Sequence, residues 1–293
     1  MGLGAHEGAH TGLETVSCGR CGPRSAQGAS MNQTAYNPDE VVYRPRGGLT
    51  GRLQKHVARR LGVTPLKIKL DRPIVTFSFD DFPKTAMELG AARLKARGWR
   101  GSFFVSGGLA GVTNHHGDLF DPEDLQTLQA DGHEIGCHGY SHLDASRLTA
   151  ESVAADAARN RAFLKEAGLN RAPTSYAFAY GETTPQAKKR LLETYGCLRG
   201  VQPGINRGVA DRGLLKAMPL DGGETGLKRA VEAVRNVSRN PGWLIFYGHD
   251  IRKTPSEWGC TPEFLDVVLH AVEQSGAQVR TQSEALKAIL ARQ

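Results

Sequence analysis

From residue 73 onward, short apolar runs alternate with longer segments in which apolar residues recur at helical spacing. The apolar runs predict strands over 74–79, 102–106, 134–137, 175–179, 196–201, 243–247 and 277–280, with a further one around 217–220. Helices are predicted between them, over 84–97, 122–131, 150–167, 184–194, 225–238, 262–274 and 283–290. Gly98, Gly132, Gly168, Gly196 and Gly276 each follow such a run, where a left-handed C-cap suits glycine. Repeated strand–helix units of this kind predict one α/β domain over 73–290, built around a mainly parallel sheet. Ahead of it, Leu49, Leu53, Val57 and Leu61 stand at four-residue spacing with Arg52, Lys55, Arg59 and Arg60 between them. That pattern predicts a short basic amphipathic helix within an extension spanning 31–72, packed on the main domain. Residues 1–30 hold seven glycines and no periodicity, the composition of a disordered tail, and Met31 is a candidate start.

Composition narrows this picture. The 293 residues are 40% hydrophobic, ordinary for a soluble globular chain, and no run approaches 18 apolar residues. With no apolar signal-peptide core at the N-terminus, a cytoplasmic protein is expected. Lysine plus arginine exceed aspartate plus glutamate by 37 − 30 = 7. Eight of these cations fall within 44–69, where there is no acid. We read this block as a solvated helix face; the rival reading is peripheral contact with anionic lipid at the inner membrane face. No nucleic-acid-binding module is present, so no nucleic-acid partner is expected. The five cysteines, Cys18, Cys21, Cys137, Cys197 and Cys260, form no disulfide framework, and the lone CxxC lacks the second ligand pair of a zinc site.

Three strand ends carry candidate chemistry. The run Ile74-Val-Thr-Phe-Ser-Phe-Asp80-Asp81 delivers two carboxylates to the C-terminal edge of a buried strand, where α/β folds place their chemistry. In Gly132-His-Glu-Ile-Gly-Cys-His138-Gly-Tyr-Ser-His142, a second strand ends in two histidines four residues apart. Two imidazoles and a carboxylate from a neighbouring unit make the three-ligand, open site of a catalytic metal. In Trp243-Leu-Ile-Phe-Tyr-Gly-His249-Asp250, a third strand ends in a histidine suited to proton donation. His115 and His116 read as members of a solvated polar loop, the rival reading being that they line the substrate groove. Trp258 reads equally well as a loop anchor and as a platform for a sugar ring.

The motifs FSFDD at 77–81, GHEIGCHGYSH at 132–142, YAFAYGE at 176–182 and LIFYGHD at 244–250 stand in the order of one family. The chain resembles the polysaccharide deacetylases of carbohydrate esterase family 4, which share the NodB homology domain. The resemblance covers about residues 73–290 and extends to exopolysaccharide or holdfast-type deacetylases. It implies a distorted (β/α)7 barrel, here with an N-terminal basic extension, that hydrolyses the acetamide of an N-acetylated sugar with a bound divalent metal, most often zinc. By the same resemblance, Asp81, His138 and His142 are the metal ligands. Asp80 is the base that takes a proton from the attacking water, and His249 is the acid that protonates the departing amine. The turn at Tyr180 and Gly181 is implied to stabilise the oxyanion and bind substrate.

The third motif departs from the common Arg-Pro-Pro-Tyr form, because Ala177 occupies the arginine position and Phe178-Ala179 replace the prolines. Arg199, at the end of the next strand, is a candidate replacement for the arginine that orients the base. Asp221 is the candidate acidic partner of His249. The implied partner is an N-acetylated oligo- or polysaccharide, or a lipid-linked precursor of one. Two other functions fit a barrel of this kind: amide hydrolysis on a cyclic imide or purine-type substrate, and non-catalytic glycan binding.

Overall fold

This computed structural model describes residues 1, 2, 45 and 47–293. The chain divides into two compact units, Met1–Thr34 and Ala35–Gln293, and every element below belongs to the second. Most of the glycine-rich tail, including Cys18 and Cys21, and the start of the 31–72 extension lie outside the described residues.

The strand Ile74–Asp80 is buried at all seven positions. An unbroken apolar run of this length demands neighbours on both edges and cover on both faces. Trp243–Gly248 pairs parallel with it on one side and Ser102–Val105 on the other. The parallel sheet continues through Glu134–Cys137, Ser175–Ala177 and Cys197–Arg199, and beyond Trp243–Gly248 it adds Met218–Pro219, a path of seven strands. Gln278–Val279 pairs parallel with Ile74 and Val75 as well. The segment leading into Met218–Pro219 draws the ends of the sheet together: Leu215 N–H donates to Leu198 O (2.9 Å), and Gly200 N–H donates to Leu215 O (3.0 Å). The architecture is therefore mixed α/β with a curled, barrel-like parallel sheet of seven strands, as expected. Because the strands are parallel, their C-terminal ends share one rim.

The phenylalanines of the central strands form the core. Phe77 stacks on Phe246 (5.5 Å between ring centroids) and Phe79 on Phe103 (5.1 Å), each fully buried and each contributing about 1.5–3 kcal/mol by burial. The helices start where the sequence places caps. Thr149, Thr184, Thr261 and Thr281 each accept a backbone N–H from the first turn that follows, and Pro185 and Pro262 occupy positions that need no N–H partner. The helix Pro262–Gln274 has the predicted bounds, and the others lie within about two residues of theirs.

Three features differ from the reading of the sequence. The predicted helix over 84–97 is a wide π turn, Ala86–Ala91, running into a short α-helix, Ala92–Lys95, a form that recurs near functional sites. Pro65–Ile68, within the predicted extension, buries Leu66 and Ile68 and pairs antiparallel with Gly208–Asp211, which ties the residues before 73 to the barrel. The helix Gly48–Arg60 does pack on the domain, but through Gly51 and Ala58 rather than through its leucines. Fully buried Lys188 donates from below to Ala58 O (2.6 Å) and to Asp211 Oδ2 (2.7 Å), and Lys55 pairs with Glu182 (2.8 Å). Leu49 and Leu53 face solvent.

Candidate active site

The central strand ends at Asp80, and Asp81 turns into the left-handed region (φ 58°), followed by Phe82 (φ 53°). His142 (φ 49°) and Tyr180 (φ 58°) are the other non-glycine residues there among those described. Such a backbone costs about 1–3 kcal/mol per residue and persists only where its surroundings hold it. For the aspartates the clamp is Phe82, which is fully buried, stacked on Phe120 and set edge-on to Phe103. For His142 it is Asp156 on the helix Ala150–Glu166, whose carboxylate accepts the N–H groups of Tyr140 (2.8 Å) and Ser141 (3.2 Å). Gly139 turns the chain into this loop at φ 77°, and a Cβ there would lie 2.7 Å from Asp156 Oδ2.

These turns bring Asp81, His138 and His142 together, with one donor atom from each lying within 4.8 Å of the others. Asp81 Oδ1 is 3.0 Å from His142 Nε2 and 3.5 Å from His138 Nε2. It is buried and accepts no hydrogen bond, so the 3.0 Å approach is not aligned as one. A tetrahedral cation with ligand bonds of 2.0–2.1 Å would hold its donors about 3.3–3.4 Å apart. The other ring nitrogens are occupied: His138 Nδ1–H donates to Ala177 O (2.8 Å), and His142 Nδ1 hydrogen-bonds Tyr180 Oη (3.1 Å). This turns both Nε2 atoms toward the orphaned carboxylate oxygen, the usual preparation of histidines for metal. The residues fit a divalent cation.

Electrostatics follow the same geometry. Burial works against an ionised Asp81, but the charges of His142, His138 and His249 hold its carboxyl well below the usual range. Burial pushes His138 down to about 4. His142 is half-buried, and although desolvation works against its charged form, the Asp81 carboxylate raises it above its ordinary value.

Asp80, also buried, is paired through Oδ1 with Arg199 Nη2. The guanidinium is fully buried, lies over the rings of Phe104 (5.0 Å) and Tyr247 (5.3 Å), and also donates to Gly200 O (3.2 Å). It reaches the carboxylate from the strand Cys197–Arg199, two strands beyond Glu134–Cys137 in the sheet, where the sequence suggested a replacement for the missing third-motif arginine.

Across Asp81 stands His249, half-buried, whose Nδ1–H donates to Trp258 O (3.2 Å). Asp221, the expected acidic partner, makes no hydrogen bond to this nitrogen, although the charge of His249 acts on its carboxyl. That carboxyl is raised by burial and lies 3.6 Å from Arg229, while a backbone carbonyl takes the imidazole N–H. Trp258 anchors its loop, with its N–H on Ser256 Oγ (3.3 Å) and its ring edge-on to His115. Gly181 uses its amide within the turn. Its N–H donates to Phe178 O (2.9 Å) and its Cα abuts Val201, so it shapes the turn while Tyr180 faces the histidines.

The largest correction is His116. It stands with His115 at the tip of a hairpin, Thr113–Asn114 with Gly117–Asp118, and is 3% exposed rather than solvated. Its ring stacks on His249 at 4.6 Å and 6°, and burial pushes it down to about 4. The Asn-His-His-Gly run was the available signal for a two-residue hairpin. Nothing in it revealed that Arg252 Nη2 would bond His115 O (2.7 Å) and draw the tip across the barrel mouth.

Residues 67–196 match the family model for polysaccharide deacetylase. Over those residues the chain carries a polysaccharide deacetylase domain. Comparison with curated proteins gives no match. Among solved structures, the deacetylase domain is similar to a chitin deacetylase of the fungal pathogen Colletotrichum lindemuthianum, with 20% identity over 76% of this chain and 91% of that one and a TM-score of 0.55. It is similar to the Xyl-CE4 domain of a multidomain xylanase from the hindgut metagenome of Trinervitermes trinervoides, with 15% identity over 74% and 91% and a TM-score of 0.55. It is also similar to a family 4 acetyl xylan esterase of Clostridium thermocellum in complex with a cobalt ion, with 19% identity over 73% and 91% and a TM-score of 0.53. These likenesses establish the NodB-type barrel. Arg199 and His249 lie beyond the residues matched by the family model, and the deacetylase fold carries them to the same rim.

Proposed function

We propose that this domain is a divalent-metal-dependent N-deacetylase acting on N-acetylglucosamine-type units of a bacterial polysaccharide or glycan precursor. The observation that carries this reading is the buried, unbonded Asp81 Oδ1 facing two prepared imidazoles, with a second carboxylate at Asp80 beside it. Asp81, His138 and His142 would hold the cation, which we take to be zinc. When bound, it polarises the acetyl carbonyl and acidifies the attacking water. Asp80 takes the proton of that water, and Arg199 on Oδ1 fixes the carboxylate so that Oδ2 faces the reaction. The backbone N–H of Tyr180, fixed at φ 58°, faces the negative charge that develops on the carbonyl oxygen. His249 hands a proton from Nε2 to the amine nitrogen as the C–N bond breaks. An amine leaves only when protonated, so an acid at His249 together with the base Asp80 suits hydrolysis of an amide.

The chitin deacetylase named above supports the sugar assignment. A metal-stripped preparation supplied with an N-acetylglucosamine oligomer should release acetate only after zinc is restored. Failure to release acetate with the metal bound would overturn this reading.

We further place the substrate near a membrane surface. Leu49 (84% exposed) and Leu53 (64%) project from the helix Gly48–Arg60 beside exposed Arg52 and Arg60, a face suited to an anionic bilayer. No described helix is long and apolar enough to cross a membrane. The buried free thiols of Cys137, Cys197 and Cys260 fit a reducing, cytoplasmic compartment. Co-sedimentation with anionic vesicles at low salt, lost in Leu53→Asp, checks this placement without touching the chemistry.

A further inference from the structure

We propose a second, inhibitory cation site that shares Asp81 with the first and is completed by His116 and His249. This inference rests on the deacetylase reading above, in which the first ion lies between Asp81, His138 and His142 and His249 supplies the proton.

The two oxygens of Asp81 face different imidazoles. Oδ1 meets His138 and His142, whereas Oδ2 lies 3.7 Å from His116 Nε2, too far for a hydrogen bond and close to the separation of two ligands on one ion. One donor atom from each of Asp81, His116 and His249 lies within 4.8 Å of the others, the same closeness that defines the first trio. Both histidines are prepared from behind. His116 Nδ1 sits 3.2 Å from Asp250 Oδ1 and 3.0 Å from Ser256 Oγ, and His249 Nδ1 sits 3.2 Å from Trp258 O. A carboxylate or carbonyl behind a histidine is the arrangement that turns Nε2 toward a metal.

The backing carboxylate is itself held. Asp250 is fully buried, accepts from Ser256 N–H (2.9 Å) and pairs with Arg252 (2.8 Å). Gly259 packs so closely that a Cβ would lie 2.5 Å from Asp250 Oδ1. A purely structural role for His116 would account for its Nδ1 contacts and for its stacking on His249. It would not account for Nε2 aimed at the second oxygen of a carboxylate that already serves one cation.

The second site offers one shared carboxylate and two imidazoles next to an existing positive charge, so it binds more weakly than the first. Filling it ties up His249 Nε2 and removes the proton donor, so excess metal shuts the reaction down.

Equilibrium dialysis of metal-stripped full-length protein against zinc tests this. Wild type should bind two equivalents, the second at least about 10-fold more weakly, and His116→Gln should bind one. Acetate release by wild type should fall at least about 10-fold as the second equivalent fills. In His116→Gln the zinc concentration for inhibition should rise by at least the same factor, whatever its basal rate. The retained first equivalent reports that the variant is folded. Should it lose both ions, Ser256→Ala, which removes one contact behind His116, must weaken the second equivalent alone. Saturation of wild type at one equivalent, or a second equivalent unaffected by these variants, overturns the proposal. Wild type that binds no zinc would instead overturn the deacetylase reading.

Discussion

Arg199 shows how one side chain can complete a site from a distance in sequence. Its guanidinium has no access to water, and the Asp80 carboxylate it bonds is itself buried. Removing one partner of such a pair leaves a buried charge unpaired, at a cost of about 3–5 kcal/mol. Arg199→Ala should therefore lower the unfolding free energy by about that amount in denaturant titrations. Arg199→Lys keeps the charge but loses the planar fork. It should lower kcat by about 10–100-fold with little change in KM, the signature of a mispositioned base rather than of lost substrate binding. This pairing was legible in the sequence as a candidate, because Ala177 vacates the usual arginine position and Arg199 ends the adjacent strand. Its geometry was not, since adjacency in sequence says nothing about which rim residue a side chain six bonds long will reach. A place for His116 beside the substrate groove was legible as an alternative, but its burial was not, because that depends on a hairpin tip crossing to the loop after His249. Asp221 was legible as a neighbour of His249, but not that the backbone carbonyl of Trp258 would take the imidazole N–H.

Among elements, the decisive one is the His138–His142 loop clamped by the helix Ala150–Glu166. Asp156 accepts the two amides that fix the loop's left-handed exit, so it acts on the ligands without touching them. Asp156→Ala should weaken zinc binding by about 10–100-fold, read by competition with a chelating dye, while the far-ultraviolet circular dichroism stays unchanged. Unaltered affinity would show that the loop is held by other contacts. Helix positions were readable because caps and N1 prolines are local signals, as at Thr261-Pro262. The π turn at Ala86–Ala91 was not, because its apolar spacing matches that of an ordinary helix. The strand Pro65–Ile68 escaped because four residues amid lysines look like solvated chain until a partner from position 208 onward is found.

At the scale of the whole molecule, burying histidines around one rim has a thermodynamic consequence. His138 and His116 are pushed down to about 4 by burial, against an ordinary value near 6.5. Between these values the unfolded chain binds more protons than the folded one, so the stability they confer is complete above about pH 6.5 and is lost as pH falls toward 4. Each contributes a slope of about 1.4 kcal/mol per pH unit. His142, shifted upward, is protonated in both states over that window and does not offset the loss. The melting temperature of metal-free protein should therefore fall steadily from pH 7 to pH 4.5, and a flat profile would contradict the burial of these rings.

The central claim is a division of labour between adjacent carboxylates, Asp81 for the cation and Asp80 for the proton. The most direct test measures bound zinc and acetate release together in Asp80→Asn and Asp81→Asn. The account predicts that Asp80→Asn keeps its first equivalent of zinc and releases acetate at least about 100-fold more slowly, whereas Asp81→Asn loses both. An Asp80→Asn protein that loses the ion, or an Asp81→Asn protein that keeps it and still releases acetate, would contradict the account.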